Sequence, residues 1–286
     1  MIRPFTHRVR ESVRNILPDY IAVNLLYYRA FGQWPDLKHP KTFNEKIAWR
    51  KLYQHNPRFP LFSDKIAVKA EIAALIGAQH IIETLWAGDT PEAIPFDELA
   101  TPYVVKVNHS TSGSLFIRTP QDVKKETIVS AMHKQLGLSH GRRFREWGYL
   151  GIPPRVLIER MVETPDGELP DDYKFFVYHG RAHFIQYDSG RPRGLKLNFY
   201  DCEWNLLPAK LRRYPRTSQP VAKPENLARM IEMAEKIGAQ FDFVRVDFYS
   251  PPQGILFGEV TFYPNAGLEP FNPEQWDMTF GEPWRL

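Results

Sequence analysis

Near the end of the chain, two carboxylates stand inside apolar runs that read as strands. Asp247 lies within Phe243-Val244-Arg245-Val246-Asp247-Phe248-Tyr249, and Glu259 within Ile255-Leu256-Phe257-Gly258-Glu259-Val260. The turn at residues 250–254 joins the two runs as a strand pair. Charge in such a setting is costly unless something compensates it. Side chains alternate along a strand, so Arg245 shares a face with Asp247. Two hard carboxylates side by side suit a Mg2+ ion that also binds phosphate oxygens. The alternative is a structural ion pair, closed by Arg245 or a backbone donor.

A second feature is Lys106, at the end of the β-branched run Tyr103-Val104-Val105-Lys106-Val107 and just before the small polar residues 108–114. A lysine beside free backbone N–H groups in a loop of small residues can cradle phosphate, although the loop is neither a Walker loop nor a dinucleotide fingerprint. An exposed hairpin lysine is the other reading. A third feature is Leu157-Ile158-Glu159-Arg160-Met161-Val162, a strand that exits toward Asp171-Asp172-Tyr173-Lys174. Acid groups there could accept from an adenine amino group or a ribose hydroxyl, or simply sit in a surface loop. The one cysteine, Cys202, lies between carboxylates that would raise its pKa, so it carries no nucleophile signature. None of the histidines falls in a Ser/His/Asp or metal-ligand spacing.

The elements that must position these residues are legible from periodicity. Residues 1 to about 55 read as helices broken at Pro18, Pro35 and Pro40, an appendage or brace to the rest. A helix capped at Ser63 is expected to run to Gly77, followed by a strand at 81–86, a hairpin spanning 103–117 and a helix at 121–136. Strands follow at 155–159, 173–178 and 182–187, then a hairpin at 201–207, a helix at 224–238 and the final strand pair. Strands that come in hairpins, seldom separated by crossover helices, predict an α+β fold with largely antiparallel sheets.

At 286 residues, with 43% hydrophobic and 24% charged residues, the chain has room for one large domain or two packed subdomains. A net charge of +4 suits an anionic ligand without indicating nucleic acid. The single cysteine excludes an intramolecular disulfide framework and favours a reducing compartment. The absence of a long apolar run or secretory signal predicts a cytoplasmic protein. Arg3, Arg8, Arg10 and Arg14 precede an apolar run near residues 16–26. That segment is expected to pack its apolar stripe on the body of the protein, with peripheral contact to an anionic inner membrane face as the alternative.

Taken together, the sequence resembles the TupA-like branch of the ATP-grasp superfamily, associated with teichuronopeptide and other surface-polysaccharide biosynthesis. The resemblance covers nearly the whole chain. It is carried by Thr42-Phe43-Asn44-Glu45-Lys46 with Trp49, Ser63-Asp64-Lys65, Val104-Val105-Lys106-Val107-Asn108-His109, Ile158-Glu159, Asp172-Tyr173-Lys174-Phe175-Phe176, Arg245-Val246-Asp247 and Gly258-Glu259-Val260-Thr261-Phe262-Tyr263-Pro264. It implies an N-terminal helical segment (1–60) and an ATP-grasp domain (61–286), divided into a small or lid subdomain (about 61–158) and a large subdomain with the metal site (159–286). ATP would lie between these two α+β subdomains. Its adenine would rest against Glu159, Arg160 and Met161, its ribose on Asp172, and its phosphates under Ser110, Ser112, Gly113 and Ser114. Lys65 and Lys106 would contact the phosphates and Lys174 the terminal ones. Asp247, Glu259 and Thr261 would ligate Mg2+. Many ATP-grasp ligases carry Glu-x-Asn at the metal; the third residue here is Thr261, and Asn265 would substitute if the following turn folds back.

The reaction this implies is attack of a carboxylate on the γ-phosphate, stabilisation of the acyl phosphate by Arg245, and displacement of phosphate by an amine to give an amide. Positioning and charge neutralisation would carry most of the catalysis. The basic run that holds Arg191, Arg193 and Lys196 suits a clamp for an anionic carboxylate. The expected substrates are an amino acid amine and a carboxylate linked to a surface polysaccharide, uronic acid or acidic peptide. A kinase of the same fold, phosphorylating a sugar or other small-molecule hydroxyl, would share the metal and the lysines. A glycosyltransferase is the remaining rival, and the metal-binding Asp-x-Asp triplet usual in such enzymes is absent from this sequence.

Overall fold

The computed structural model describes residues 17–110, 113–190, 194–217, 219 and 221–286. The basic N-terminal stretch up to residue 16, Ser112 and Arg193 lie outside these residues. Helices α1 (Asp19–Phe31), α2 (Phe43–Tyr53), α3 (Arg58–Ser63) and α4 (Val68–Ile76) come first. Strands β1 (Thr84–Gly88), β2 (Tyr103–Val107) and β3 (Leu115–Ile117) precede helices α5 (Lys125–Leu136) and α6 (His140–Phe144). Then follow β4 (Val156–Arg160), β5 (Asp172–Tyr178), β6 (Arg181–Ser189), β7 (Lys196–Tyr200), β8 (Leu206–Leu207) and β9 (Lys210–Leu211). Helix α7 (Leu227–Gly238), strands β10 (Phe243–Tyr249), β11 (Leu256–Thr261) and β12 (Phe271–Asn272), and helix α8 (Gln275–Gly281) complete the order.

Two antiparallel sheets dominate, as the hairpin pattern predicts. The smaller has the order β1-β4-β2-β3 and the larger β11-β10-β5-β6-β7-β8, while β12 pairs with β9. In β2 the alternation is plain: Tyr103, Val105 and Val107 are buried, packing in one cluster with Ile128 and Met132 of α5. Val104 and Lys106 therefore project from the opposite face.

The large sheet is covered on both faces. Val244, Val246 and Phe248 of β10, with Phe175 and Val177 of β5, share one core with Leu227, Met230, Met233, Ala234 and Ile237 of α7. The helix residues recur at helical spacing, and α7 lies close to the sheet at its end. A Cβ on Gly238 would stand 2.3 Å from Val177 Cγ1, so only glycine permits that approach. The opposite face is divided along its length. At one end Phe243, Phe176 and Tyr178 stack with Phe43 of α2 and with Phe280 and Trp284, the Phe43 and Phe243 rings meeting edge to face at 5.1 Å. The other end of that face carries the charged residues of the candidate site.

Helix α2 is fixed by a capping box between Thr42 and Glu45 and by side chains that reach into the core. Arg50 is fully buried, 4.2 Å above the Trp284 ring, and donates to Asp242 at 2.7 Å and to the Phe243 and Phe262 carbonyls. The segment thus braces the sheet through a buried cation. The helix expected from Ser63 to Gly77 is interrupted: α3 ends at Ser63, and Asp64 Oδ1 accepts from the amides of Ile66 and Ala67 before α4 begins. An Asp side chain that satisfies its own following amides favours a turn over a continuous helix. Among the described residues no helix is long and apolar enough to cross a membrane.

Removing the Arg50 guanidinium would leave Asp242 without its cation in a mostly buried position. Arg50→Ala is expected to destabilise the fold by ~3 kcal/mol or more, the scale for breaking a buried pair from one side. Urea denaturation measures it, and a loss below about 1 kcal/mol would mean that Arg50 acts only as a surface pair does.

Candidate functional site

The cleft between the two sheets gathers most of the residues singled out by sequence. From the small-sheet side come Val104, Lys106, Ser110, Ser114 and Phe116; from the strand exit, Glu159, Arg160, Met161 and Val162. From the large sheet come Asp172, Lys174, Asp247 and Glu259, and Lys65 enters from the turn between α3 and α4. The empty space within the cleft, counted out to its open mouth, is about 970 Å3. Gly113 adopts a left-handed φ of 88°, and a Cβ there would overlap the Gln135 side chain, so the loop needs glycine at this point.

Strand register sets the polar half of the large sheet. Asp247 lies opposite Glu259 on one side and Lys174 on the other, and Arg245 lies opposite Thr261. Arg245 grips Asp247 through two hydrogen bonds of 2.7 Å and reaches Glu259 and Thr261 at 3.3 Å each. Lys174 Nζ is 2.9 Å from Asp247, 3.6 Å from Asp188 and 3.7 Å from Asp172. Lys65 Nζ donates to Glu259 at 2.9 Å. Burial alone would raise the Glu259 carboxyl, but Lys65, Arg245 and Lys174 outweigh it and hold the group well below the ordinary carboxylate range. Burial would likewise lower Lys174, yet Asp172 and Asp247 keep it above its usual value.

A second network lies on the small-sheet side. Glu159, buried at the end of β4, accepts from Lys69 at 2.6 Å and is also paired with Lys106. Burial raises this carboxyl, and the two lysines more than reverse the effect. Glu159 therefore holds Lys69 and Lys106 in place in this structure, where the sequence reading has it facing the adenine. The amides of Arg160 and Met161 are committed to the carbonyls of Glu83 and Pro102. Lys69 was not singled out by sequence; its signal is the spacing of four from Lys65, which the turn at residues 64–67 converts into two lysines at one cleft. Asp188 was also missed, because its place opposite Asp172 depends on the β5–β6 register.

The donor set can be tested against a hard cation. Asp247 and Glu259 offer carboxylate oxygens and Thr261 a hydroxyl, and Thr261 Oγ1 lies 3.2 Å from Glu259 Oε1. Among the described residues no group of three or more acidic, His or Cys side chains could hold a metal ion. Two carboxylates still fit Mg2+, which is ordinarily bound through one or two carboxylates and completed by phosphate oxygens and water. Cys202 is not reactive: burial first, and then Glu203, Glu235 and Asp201, push its thiol up to about 11.

A family model described as TupA-like ATPgrasp matches residues 45–285. No curated protein matches the chain. Among solved structures it is similar to D-alanine–D-alanine ligase from Bacillus anthracis complexed with ATP, at 15% identity and a TM-score of 0.42, over 70% of this chain and 55% of that one. It is similar also to the Helicobacter pylori D-alanine–D-alanine ligase, at 14% identity and a TM-score of 0.45, over 79% and 62%. The ATP-grasp ligase PsnB complexed with a minimal precursor follows at 12% identity and 0.41, over 72% and 54%. The chain thus spans less than two thirds of the length of each of these ligases.

Because Glu259 has a depressed folded-state pKa, its stabilisation is present above the ordinary carboxylate pKa and is lost as pH falls through the folded value. Glu259→Gln carries no such proton. Urea denaturation in neutral and acidic buffers is expected to show a shallower acid-side loss of stability for the variant; an equal slope would mean that the cations do not hold Glu259.

Proposed function

The chain belongs to the TupA-like ATP-grasp family, and from that premise we propose that it is an ATP- and Mg2+-dependent carboxylate–amine ligase. One observation carries the reading: Lys65, Lys106 and Lys174 line the same cleft as the paired carboxylates Asp247 and Glu259, with Lys69 bound to Glu159 and Arg245 to Asp247 at its walls. Such an array suits a polyphosphate accompanied by a divalent cation. Val104, Met161 and Leu169 give the cleft apolar walls suited to a base, and Asp172, on the same lining, is the acid we assign to the ribose.

In this reading Lys65 and Lys106 bind phosphate oxygens, and Lys174 orients the terminal phosphate against Asp247. Asp247, Glu259 and Thr261 would hold Mg2+, which when bound supplies charge neutralisation at the phosphate oxygens. Arg245 presents a guanidinium fork to the acyl phosphate and to the oxyanion that forms when an amine attacks it. The substrates we propose are an amino acid amine and a carboxylate of a surface polysaccharide, uronic acid or acidic peptide. The reaction would take place in the cytoplasm, with Arg193 assisting at the carboxylate.

Purified protein incubated with ATP, Mg2+, amino acids and uronic-acid-containing glycans is expected to release ADP and phosphate and form an amide. Added hydroxylamine should trap the acyl phosphate as a hydroxamate. A phosphorylated acceptor without hydroxamate would establish the kinase reading, and AMP with pyrophosphate would remove both.

Lys106→Ala is expected to weaken ATP binding by about 1.5 to 3 kcal/mol, the scale of a charge-assisted hydrogen bond. Calorimetry decides it: unchanged affinity would confine Lys106 to its ion pair with Glu159.

A further inference from the structure

A second cleft opens on the other side of Arg245 and Glu259. Glu259 lines both clefts, while Arg245 lines this one and is held to Asp247 of the first by two hydrogen bonds. The far walls carry His140, Glu146 and Tyr149, with Arg213 at the mouth and the 263–266 turn opposite. Of its lining residues only Arg245, Glu259 and Thr261 figure in the reading above.

Its most distinctive group is a buried acid beside an imidazole. Glu146 is 2% exposed, and its Oε2 lies 3.3 Å from His140 Nε2. A carboxylate at that distance faces the Nε2 edge of the ring, so Nδ1 is the nitrogen left to accept a proton. The pair is held by a tight turn. Arg145 has a left-handed φ of 58°, and the Glu146 amide donates to the Gly141 carbonyl at 2.8 Å. A Cβ on Gly141 would meet the Glu146 carbonyl at 2.9 Å and Tyr149 Cβ at 3.0 Å, so no larger residue fits. The Tyr149 ring meets His140 edge to face at 5.6 Å. Behind Glu146, burial lowers the Lys51 ammonium to about 8 while Glu146 opposes that, and Lys51 donates to the Ala266 carbonyl at 2.6 Å. The opposite turn is strained as well: Asn265 and Ala266 hold consecutive left-handed φ values of 49° and 56°. Backbone strain of this kind collects at functional sites.

We propose that this cleft receives the amine-bearing substrate, with its ammonium group against Glu146 and His140 as the proton acceptor that frees the attacking nitrogen. The proposal rests on the ligase reading above. An amine arrives as R–NH3+, which has no lone pair to attack. His140 takes one proton; the neutral nitrogen forms the C–N bond to the acyl carbon as the bond from that carbon to the phosphate oxygen breaks. Phosphate leaves with the second proton, and the imidazolium returns its own to water. Arg245, which also lines this cleft, faces the oxyanion.

The test separates nucleophiles by protonation. Hydroxylamine is largely neutral at neutral pH and needs no base, whereas glycine and L-lysine are ammonium ions. With ATP, Mg2+, and glucuronate and L-glutamate as carboxylate probes, His140→Gln is expected to keep hydroxamate formation and ATP affinity. Amide formation with glycine or L-lysine should fall about 100-fold or more, the scale of general-base assistance. Both products falling together, or neither, would overturn the assignment. Wild-type protein that forms no hydroxamate would count against the ligase reading itself. A readout independent of turnover is the NMR spectrum of histidine-labelled protein: L-lysine should shift the His140 ring signals in wild type and leave them in place in Glu146→Gln. Unmoved wild-type signals would overturn the proposal whatever the assays show.

Discussion

The polar half of the large sheet depends on balancing charge where water is scarce. Asp172, Asp188, Asp247 and Glu259 face Lys174, Arg245 and Lys65 there, and most of these side chains are nearly out of solvent. Any one of them alone would be too costly to bury. Together they restrict the sheet to one register, because a slip of one residue would turn Asp247 and Lys174 into the α7 core and Val246 and Phe175 into the cleft. The aromatic half of the same face has no such charges and is closed by α2 and α8. Site and core are thus two ends of one surface, and Arg50, lodged among the aromatics, ties the N-terminal helices to both.

Much of the fold was legible because period-two alternation is a local property. The strands carrying Lys106, Glu159, Lys174, Asp247 and Glu259 were readable from their own neighbours, and so was their grouping into antiparallel hairpins. The family resemblance added which of them share a cleft. The break after Ser63 was not readable as such: Ser63-Asp64-Lys65 has the composition of a helix start, and only the use of Asp64 by its own following amides ends one helix before the next begins.

Residues whose importance depends on distant partners were the ones overlooked. Lys69 matters because Glu159, ninety residues away in sequence, comes to it; Asp188 because of strand register; His140 and Glu146 because a tight turn presses together two side chains six positions apart. No spacing rule marks such pairs. The glutamate at 159 shows the converse. Its place at a strand exit was evident, while its engagement by two lysines required the fold.

The contact between Lys65 and Glu259 joins the α3–α4 turn to the edge strand β11. Each partner is the natural counterpart of a different visitor, an anion for the lysine and a cation for the carboxylate. An anion bound at Lys65 would have to displace Glu259, and a cation bound at Glu259 would have to displace Lys65, so each would leave the other member unpaired. In that case the two would assist each other by the same amount in either order, a reciprocity that thermodynamics imposes on any such swap of partners.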